Sequence, residues 1–266
     1  MKKIKGTVLT IAGSDSSGGA GIQADIKTIS SMGAYAASAI TSITAQSTKG
    51  VDDILELPIK IIKNQIKSVV TDFKIDSVKI GMLYSDEIII AVKSELEKLS
   101  DKIPIILDPV MISKDGTRLL SFNAINQIVK ELFPISELIT PNIPEAEQIT
   151  NTKISSEKDL LNAGKIIISM GAKNVLLKGG HLNGKNLLDI LFHEGQIMYY
   201  KSTRIETHHT HGTGCTFASG IATGLAQNLS LIESVKRAHK YVNDAIRYAP
   251  KLGKGKGPIN HLVSIK

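Results

Sequence analysis

The sequence predicts an α/β fold: a central, mostly parallel sheet with helices on both faces, that is, an α/β/α sandwich. Three observations predict it. Short apolar runs recur along the chain, stretches with helical spacing alternate with them, and every segment of unusual polar or glycine-rich composition directly follows such a run. Strands buried on both faces read as continuous apolar runs, and their alternation with helices marks parallel pairing. With 266 residues, 42% hydrophobic and 21% charged, the chain is long enough to bury a sizeable core, and no linker divides it; residues 1–266 read as a single domain.

The first strand is Thr7 to Ala12, running into the glycine-rich loop Gly13 to Gly21. A helix from about Ile22 to Met32, stopped by Gly33, and a strand from about Tyr35 to Thr44 complete a βαβ unit. Helices near Pro58 to Val70 and Asp86 to Leu99 flank a strand at Ser77 to Ile80. The next strand is Ile103 to Leu107, where Pro104 comes too early to veto pairing. A helix from Ser121 to Leu132, a strand at Leu138 to Thr140 and a short helix opened by Pro141-Asn142-Ile143-Pro144-Glu145 follow. A helix at Glu157 to Met170 then leads to a strand at Asn174 to Lys178. Leu187 to Phe192 and Ile197 to Tyr200, joined through Glu194-Gly195, read as a small antiparallel edge hairpin, the one interval that breaks the rhythm. Helices at about Thr216 to Ala226 and Leu231 to Tyr248 close the fold, and the turn-rich tail Gly253 to Pro258 reads as a mobile flap over the site.

Composition excludes several classes. The net charge is +7, but the only arginines are Arg118, Arg204, Arg237 and Arg247, the lysines are scattered, aromatics are 4% and Trp is absent. A nucleic-acid reader clusters its basic residues and adds stacking rings, so no nucleic-acid partner is expected. A single cysteine rules out an intramolecular disulfide framework and fits a reducing compartment. The apolar run after Met1 to Gly6 is too short for a span and lacks a cleavage pattern, which points to a cytoplasmic protein with no membrane partner.

Ligands of an open α/β sheet lie outside the carboxyl ends of its strands. Gly13 to Gly21, Gln46, Asp108, Asn142 to Glu145, Lys178 to His181 and Gly212 to Cys215 are therefore expected to share one rim. Gly19-Ala20-Gly21-Ile22-Gln23-Ala24 matches the dinucleotide fingerprint, but Thr44-Ala45-Gln46 stands where that fingerprint wants a carboxylate, which argues against a dehydrogenase. No P-loop and no protein-kinase signature is present.

The phosphate cradle that remains is Gly212-Thr213-Gly214-Cys215, glycines that let several amides converge at a helix start. Those amides would neutralise phosphoryl charge, and Cys215 would accept a proton: a helix N-terminus lowers a thiol from about 8.5 to roughly 3.5–7.5, so a thiolate is expected near neutral pH. A buried structural cysteine is the alternative. Asp108, Asn142 and Glu145 offer oxygen ligands that would hold Mg²⁺ through water, or else act as turn and helix caps. Lys178, at a strand end before two glycines, is a phosphate partner or an ordinary surface lysine. His208, His209 and His211 lack the second ligand cluster of a structural zinc site.

Six ordered segments, Ala12 to Asp25, Lys79 to Leu83, Leu107 to Met111, Ile139 to Ala146, Lys178 to His181 and Thr210 to Thr216, resemble the hydroxymethylpyrimidine and phosphomethylpyrimidine kinases of thiamin biosynthesis, members of the ribokinase superfamily. The likeness runs from about Thr7 to His261. It implies a ribokinase-like fold, MgATP as phosphoryl donor, and phosphorylation of 4-amino-5-hydroxymethyl-2-methylpyrimidine and then of its monophosphate. It further implies that Gly13, Asp25, Gln46, Met82 and Val110 line the pyrimidine pocket, with Gln46 bonding the aminopyrimidine edge, and that Gly212 to Cys215 form the anion hole. ATP would be held by Lys178, Asn142 and Thr213, and the protein would be a homodimer. Cys215 stands where the wider superfamily has an aspartate base, a departure shared with a group of bacterial pyridoxal kinases; those typically carry methionine where Gln46 stands, so Gln46 favours the pyrimidine enzyme. A non-catalytic sugar- or nucleotide-binding protein is the reading from another class.

Overall fold

The structure is a computed structural model that describes residues 3–99, 103–113, 116–120, 122–180 and 186–263. Among them the chain order is β1 (Thr7–Asp15), α1 (Gly21–Ser31), β2 (Tyr35–Gln46), β3 (Val51–Glu56), α2 (Ile59–Asp72), β4 (Ser77–Ile80), α3 (Asp86–Leu96), β5 (Ile105–Leu107) and α4 (Phe122–Gln127), which runs into a π-helical turn at Ile128–Leu132. Then come β6 (Leu138–Ile139), α5 (Ile143–Thr150), α6 (Glu157–Ser169), β7 (Val175–Leu177), β8 (Asn186–His193), β9 (Gln196–Thr203), α7 (Thr213–Ala226) and α8 (Leu231–Arg247). Among these residues no helix is long and apolar enough to cross a membrane.

One sheet runs through the molecule in the order β3-β2-β1-β4-β5-β6-β7-β8-β9. The pairs from β2 through β7 are parallel. Its strands are apolar on both faces because both faces are covered. Leu9, Ile11, Ile105, Leu107, Val175 and Leu177 pack with α2 to α6, whereas their alternating neighbours Val8, Ile106 and Leu176 pack with α7 and α8. The period of two along each strand thus sorts side chains into two cores. Helix starts follow their caps: Asn142 with Glu145, Ser156 with Asp159 and Ser230 with Glu233 each form a reciprocal capping box.

The expected hairpin at residues 187–200 is present as β8 and β9, and β8 also pairs antiparallel with β7. A second antiparallel edge was not expected: β3 pairs with the end of β2. Its residues Val51-Asp52-Asp53-Ile54-Leu55-Glu56 are mostly exposed or half-exposed, so this edge strand carries no continuous apolar run. β1 also continues past Ala12 to Asp15, through an irregularity in its pairing with β2. The tail is hydrogen-bonded to the loop after β2 and to His211. Lys256 N–H donates to Thr48 O at 2.8 Å, Gly255 N–H to Thr48 Oγ1 at 3.0 Å, and His211 N–H to Gly257 O at 3.1 Å.

Candidate active site

The carboxyl ends of the parallel strands open into a cavity of about 690 Å³. Gly13, Gln46, Met82, Asp108, Val110, Asn142, Glu145, Lys178, Gly212, Thr213, Gly214 and Cys215 all line it. They come from loops far apart in sequence because each follows a different strand of one sheet. His181 lies outside the described residues.

On one side, Gly13 leaves room that a side chain would close: an added Cβ would lie 2.9 Å from Ser42 Oγ and 3.1 Å from Met82 Sδ. Gln46 is anchored by its backbone, whose N–H donates to Ser16 Oγ while its C=O accepts from the same hydroxyl, both at 2.8 Å. Its Oε1 accepts from Thr44 Oγ1 at 3.0 Å. Asp25, expected in this pocket, is not there. It is fully buried beneath the floor, where its carboxylate accepts from Thr10 Oγ1 at 2.6 Å, Ser219 Oγ at 2.7 Å and Lys79 Nζ at 2.8 Å. Both of its oxygens are committed to the fold, and Lys79 is equally buried.

Across the cavity, Gly212 adopts φ +82° and opens α7 with no side-chain cap. The first-turn amides of Gly214 and Cys215 have no acceptor earlier in the helix. Lys178 closes the other side of this turn, since a Cβ on Gly214 would lie 3.3 Å from Lys178 Nζ. The Lys178 ammonium donates to Asp108 Oδ1 at 2.8 Å, and Thr140 Oγ1 shares that oxygen at 3.2 Å. Burial disfavours the charged lysine, but Asp108 and Glu145 outweigh it and raise its proton affinity. Lys178 is therefore a half-buried cation aimed at an amide-rich turn, an arrangement suited to a phosphoryl group.

The thiolate expected at Cys215 is corrected by the same geometry. Burial pushes the thiol up to about 11; Lys79 and the Gly21 N–H pull it down, while Asp25 and Asp108 push it further up. A helix end is one favourable influence, and here desolvation and two carboxylates outweigh it. At neutral pH the group is a thiol.

Two residues carry the site's architecture in roles that the sequence alone does not assign them, Asp15 and His211. Asp15, 3% exposed, accepts from the backbone N–H groups of Ser17 at 2.8 Å, Gly19 at 3.1 Å and Ala20 at 2.8 Å, and from His211 Nε2 at 2.8 Å. Although burial disfavours its charge, His211 and the loop bonds hold Asp15 down at about 2. Asp15 thus folds the glycine loop around itself and ties it to the residue before the Gly212 turn. The signal in the sequence is a carboxylate followed by glycines, which alone does not name its long-range partner. His211 faces Asp15, while His209 Nδ1 accepts from Gly257 N–H, so these two rings serve different bonds.

The loop and the turn meet without a gap: a Cβ on Gly212 would stand 1.8 Å from Gly19 O. Gly212→Ala combines that clash with a left-handed φ. It is expected to slow the reaction carried out at this site at least about 10²-fold, as a misplaced reactive geometry does, and steady-state kinetics on the folded variant measure it.

Residues 15–260 match the family model described as phosphomethylpyrimidine kinase. The chain belongs to that family. It is 46% identical over 260 residues to the thiamine biosynthesis bifunctional protein ThiED of Geobacter sulfurreducens, covering 98% of this chain but only 53% of that protein, so it spans about half of that relative's length. It is 46% identical to the hydroxymethylpyrimidine/phosphomethylpyrimidine kinase of Haemophilus influenzae, covering 98% of each chain. Among solved structures, it resembles a phosphomethylpyrimidine kinase from Clostridium difficile (TM-score 0.80, 45% identity, 92% of this chain and 100% of that one). It also resembles the pyridoxal kinase of Staphylococcus aureus in complex with AMP-PCP and pyridoxal (TM-score 0.89, 32% identity, 97% and 94%).

A phosphomethylpyrimidine kinase implies a divalent cation with its nucleotide, and the donor set here fits a hydrated one. Asn142 Oδ1 accepts from Glu145 N–H at 3.0 Å and Glu145 Oε2 from Asn142 N–H at 2.8 Å, so both side chains serve first as the α5 cap. Asp108 Oδ1 is shared by Lys178 and Thr140. Among the described residues no three His, Cys, Asp or Glu side chains are placed to hold a metal ion together. Oxygen donors that are each partly committed to the protein would hold a divalent cation only through its own water.

A further carboxylate of this kinase fold lines the cavity. Asp189 on β8 accepts from Gly179 N–H at 2.9 Å and lies 3.8 Å from His239 Nε2. Burial pushes it up from 3.8 to about 6, against the pull of Gly179 and Lys178. The folded protein therefore binds the proton more tightly than the unfolded chain, and stability is lost as pH rises from about 4 through about 6. Asp189→Asn keeps an acceptor for Gly179 without the charge. It is expected to be more stable than the parent at pH 7.5 by up to about 3 kcal/mol, since a pKa difference of one between folded and unfolded chain corresponds to about 1.4 kcal/mol, and the advantage should be gone below about pH 4. Urea melts at the two pH values measure it.

Proposed function

We propose that this chain transfers the γ-phosphoryl group of ATP to 4-amino-5-hydroxymethyl-2-methylpyrimidine and then phosphorylates the resulting monophosphate to the diphosphate. The observation that carries this reading is the meeting, across one cavity, of the Gln46 and Met82 side with the Gly212 to Cys215 turn and Lys178. The first side offers a small pocket with an amide for an aminopyrimidine edge, and the second offers fixed positive charge for the transferred group. Phosphoryl transfer relies on such positioning and charge neutralisation.

In this reading the amides of Gly214 and Cys215 and the Lys178 ammonium hold the phosphoryl oxygens. Asp108, Glu145 and Asn142 would hold Mg²⁺ through water, and when bound the ion supplies further neutralisation of phosphate charge. In the first step the acceptor hydroxyl loses a proton, for which Cys215 is the adjacent acceptor in its rare thiolate form. In the second step the attacking phosphate oxygen is already largely ionised, its second pKa being about 6, and needs no base. The proposed assembly is a homodimer; the exposed Ile43 and Leu55 along the β2–β3 edge support it, and sedimentation measures it.

Pyridoxal is the alternative acceptor, favoured by the close match to the Staphylococcus aureus enzyme. Comparison of kcat/KM for hydroxymethylpyrimidine and pyridoxal with ATP decides between them. A preference of at least about tenfold for the pyrimidine is expected, and the reverse preference overturns the first reading.

A further inference from the structure

His211 stands at the junction of the two halves of the cavity. The residue is 6% exposed, and its ring contacts the loop after β1 while its backbone precedes the turn that opens α7. Nε2 lies 2.8 Å from Asp15 Oδ2, and that same oxygen accepts from Gly19 and Ala20 N–H. The ring edge packs so closely on the loop that a Cβ on Gly19 would lie 2.4 Å from His211 Cδ2. On its other side, the His211 N–H donates to Gly257 O at 3.1 Å and its C=O accepts from Ile259 N–H at 3.4 Å, which fastens it to the tail. Ser16, next to Asp15, in turn clasps the backbone of Gln46 at 2.8 Å in both directions. One buried residue therefore joins these parts: its ring holds the glycine loop, which Ser16 ties to Gln46, and its backbone holds the turn before α7 and the tail.

We propose that His211 is a positioning residue that sets the span between the acceptor loop and the anion turn, and so the approach of the acceptor oxygen to the phosphoryl group. This rests on the phosphoryl-transfer reading. Neither half of the site needs His211 for its own contacts: Lys178 and the first-turn amides hold phosphate, and Gln46, Gly13 and Met82 shape the acceptor side. What His211 holds is their relative placement, where an error of about 1 Å costs on the order of 10²-fold in rate. Asp15 stays ionised near neutral pH because its carboxyl is held at about 2, so it remains a charged acceptor for the ring.

The test is His211→Ala, with His211→Gln and Asp15→Asn beside it. Binding of a non-hydrolysable ATP analogue without acceptor and kcat for hydroxymethylpyrimidine are measured on each folded variant. His211→Ala is expected to bind the analogue within about threefold of the parent while kcat falls about 10²-fold. Added imidazole is expected to restore at least about tenfold of kcat in His211→Ala, and the glutamine variant, which keeps a donor, to lose less. Should His211→Ala fail to fold, Asp15→Asn carries the test: it removes the charged partner of the ring and is expected to show the same kcat-selective loss. Unchanged kcat, or loss of analogue binding in parallel with kcat, overturns the positioning role. A parent enzyme that binds the analogue but phosphorylates neither hydroxymethylpyrimidine nor pyridoxal overturns the functional reading, and this proposal with it.

Discussion

Cys215→Ala is expected to slow phosphorylation of the alcohol by about 10²–10⁴-fold, the usual contribution of a general base, while changing phosphorylation of the monophosphate by less than about tenfold. The difference arises from the nucleophiles. A hydroxyl must lose its proton during attack, whereas a phosphate monoester is already anionic above its second pKa of about 6. Because burial pushes the thiol up to about 11, the thiolate proposed as the base is scarce at neutral pH. The first step in the parent enzyme should therefore accelerate nearly tenfold for each step of about one in pH between roughly pH 7 and pH 9.5, and Cys215→Ala should flatten that rise. The two steps can be followed separately by supplying alcohol or monophosphate as acceptor. Equal losses in both, or a parent profile without the alkaline rise, would remove Cys215 from the proton transfer.

Asp25→Ala is expected to destabilise the protein by about 3–5 kcal/mol, the cost of breaking a buried pair by removing one partner. Lys79 and Asp25 are both fully buried, 2.8 Å apart, and the same carboxylate receives hydroxyls from Thr10 on β1 and Ser219 on α7. Burial disfavours the Lys79 ammonium, yet the carboxylates of Asp25 and the neighbouring Asp108 counter this, and its proton affinity is raised. The alanine variant would leave that ammonium and two hydroxyls without their acceptor. The double variant Lys79→Met with Asp25→Asn should recover most of the loss, because no unpaired charge then remains. Urea unfolding of the three proteins measures this, and a loss below about 1 kcal/mol for Asp25→Ala would show that the pair is not the keystone of the floor.

The same pair shows where sequence reasoning stops. Asp25 sits on α1 within a segment that resembles the family's motif, and position alone assigns it to the pyrimidine pocket. Only the packing of α1 against β1, β4 and α7 turns its side chain beneath the floor. Cys215 is a similar case. Its place at a helix start is legible from Gly212 and Gly214, but its ionisation depends on desolvation and on charges from α1, β4 and the segment after β5. Asp15 and His211 are separated by 196 positions, and nothing local in either segment announces the bond between them. β3 escapes notice for a simpler reason: an exposed edge strand buries no face and so has no apolar run to betray it.

What the sequence by itself determined was the alternation of strands and helices, the parallel sheet that this alternation requires, and hence a common rim for every loop that follows a strand. These features are local: apolar period, glycine turns and caps act within a few residues. The tertiary structure alone decided which rim residues face the cavity and which serve the floor. It also decided the surroundings that raise the Cys215 thiol, and the clasp of His211 on Asp15 that draws the loop after β1 against the turn before α7. The physical reason is that burial and charge are sums over neighbours from distant elements, and those neighbours exist only once the sheet has assembled.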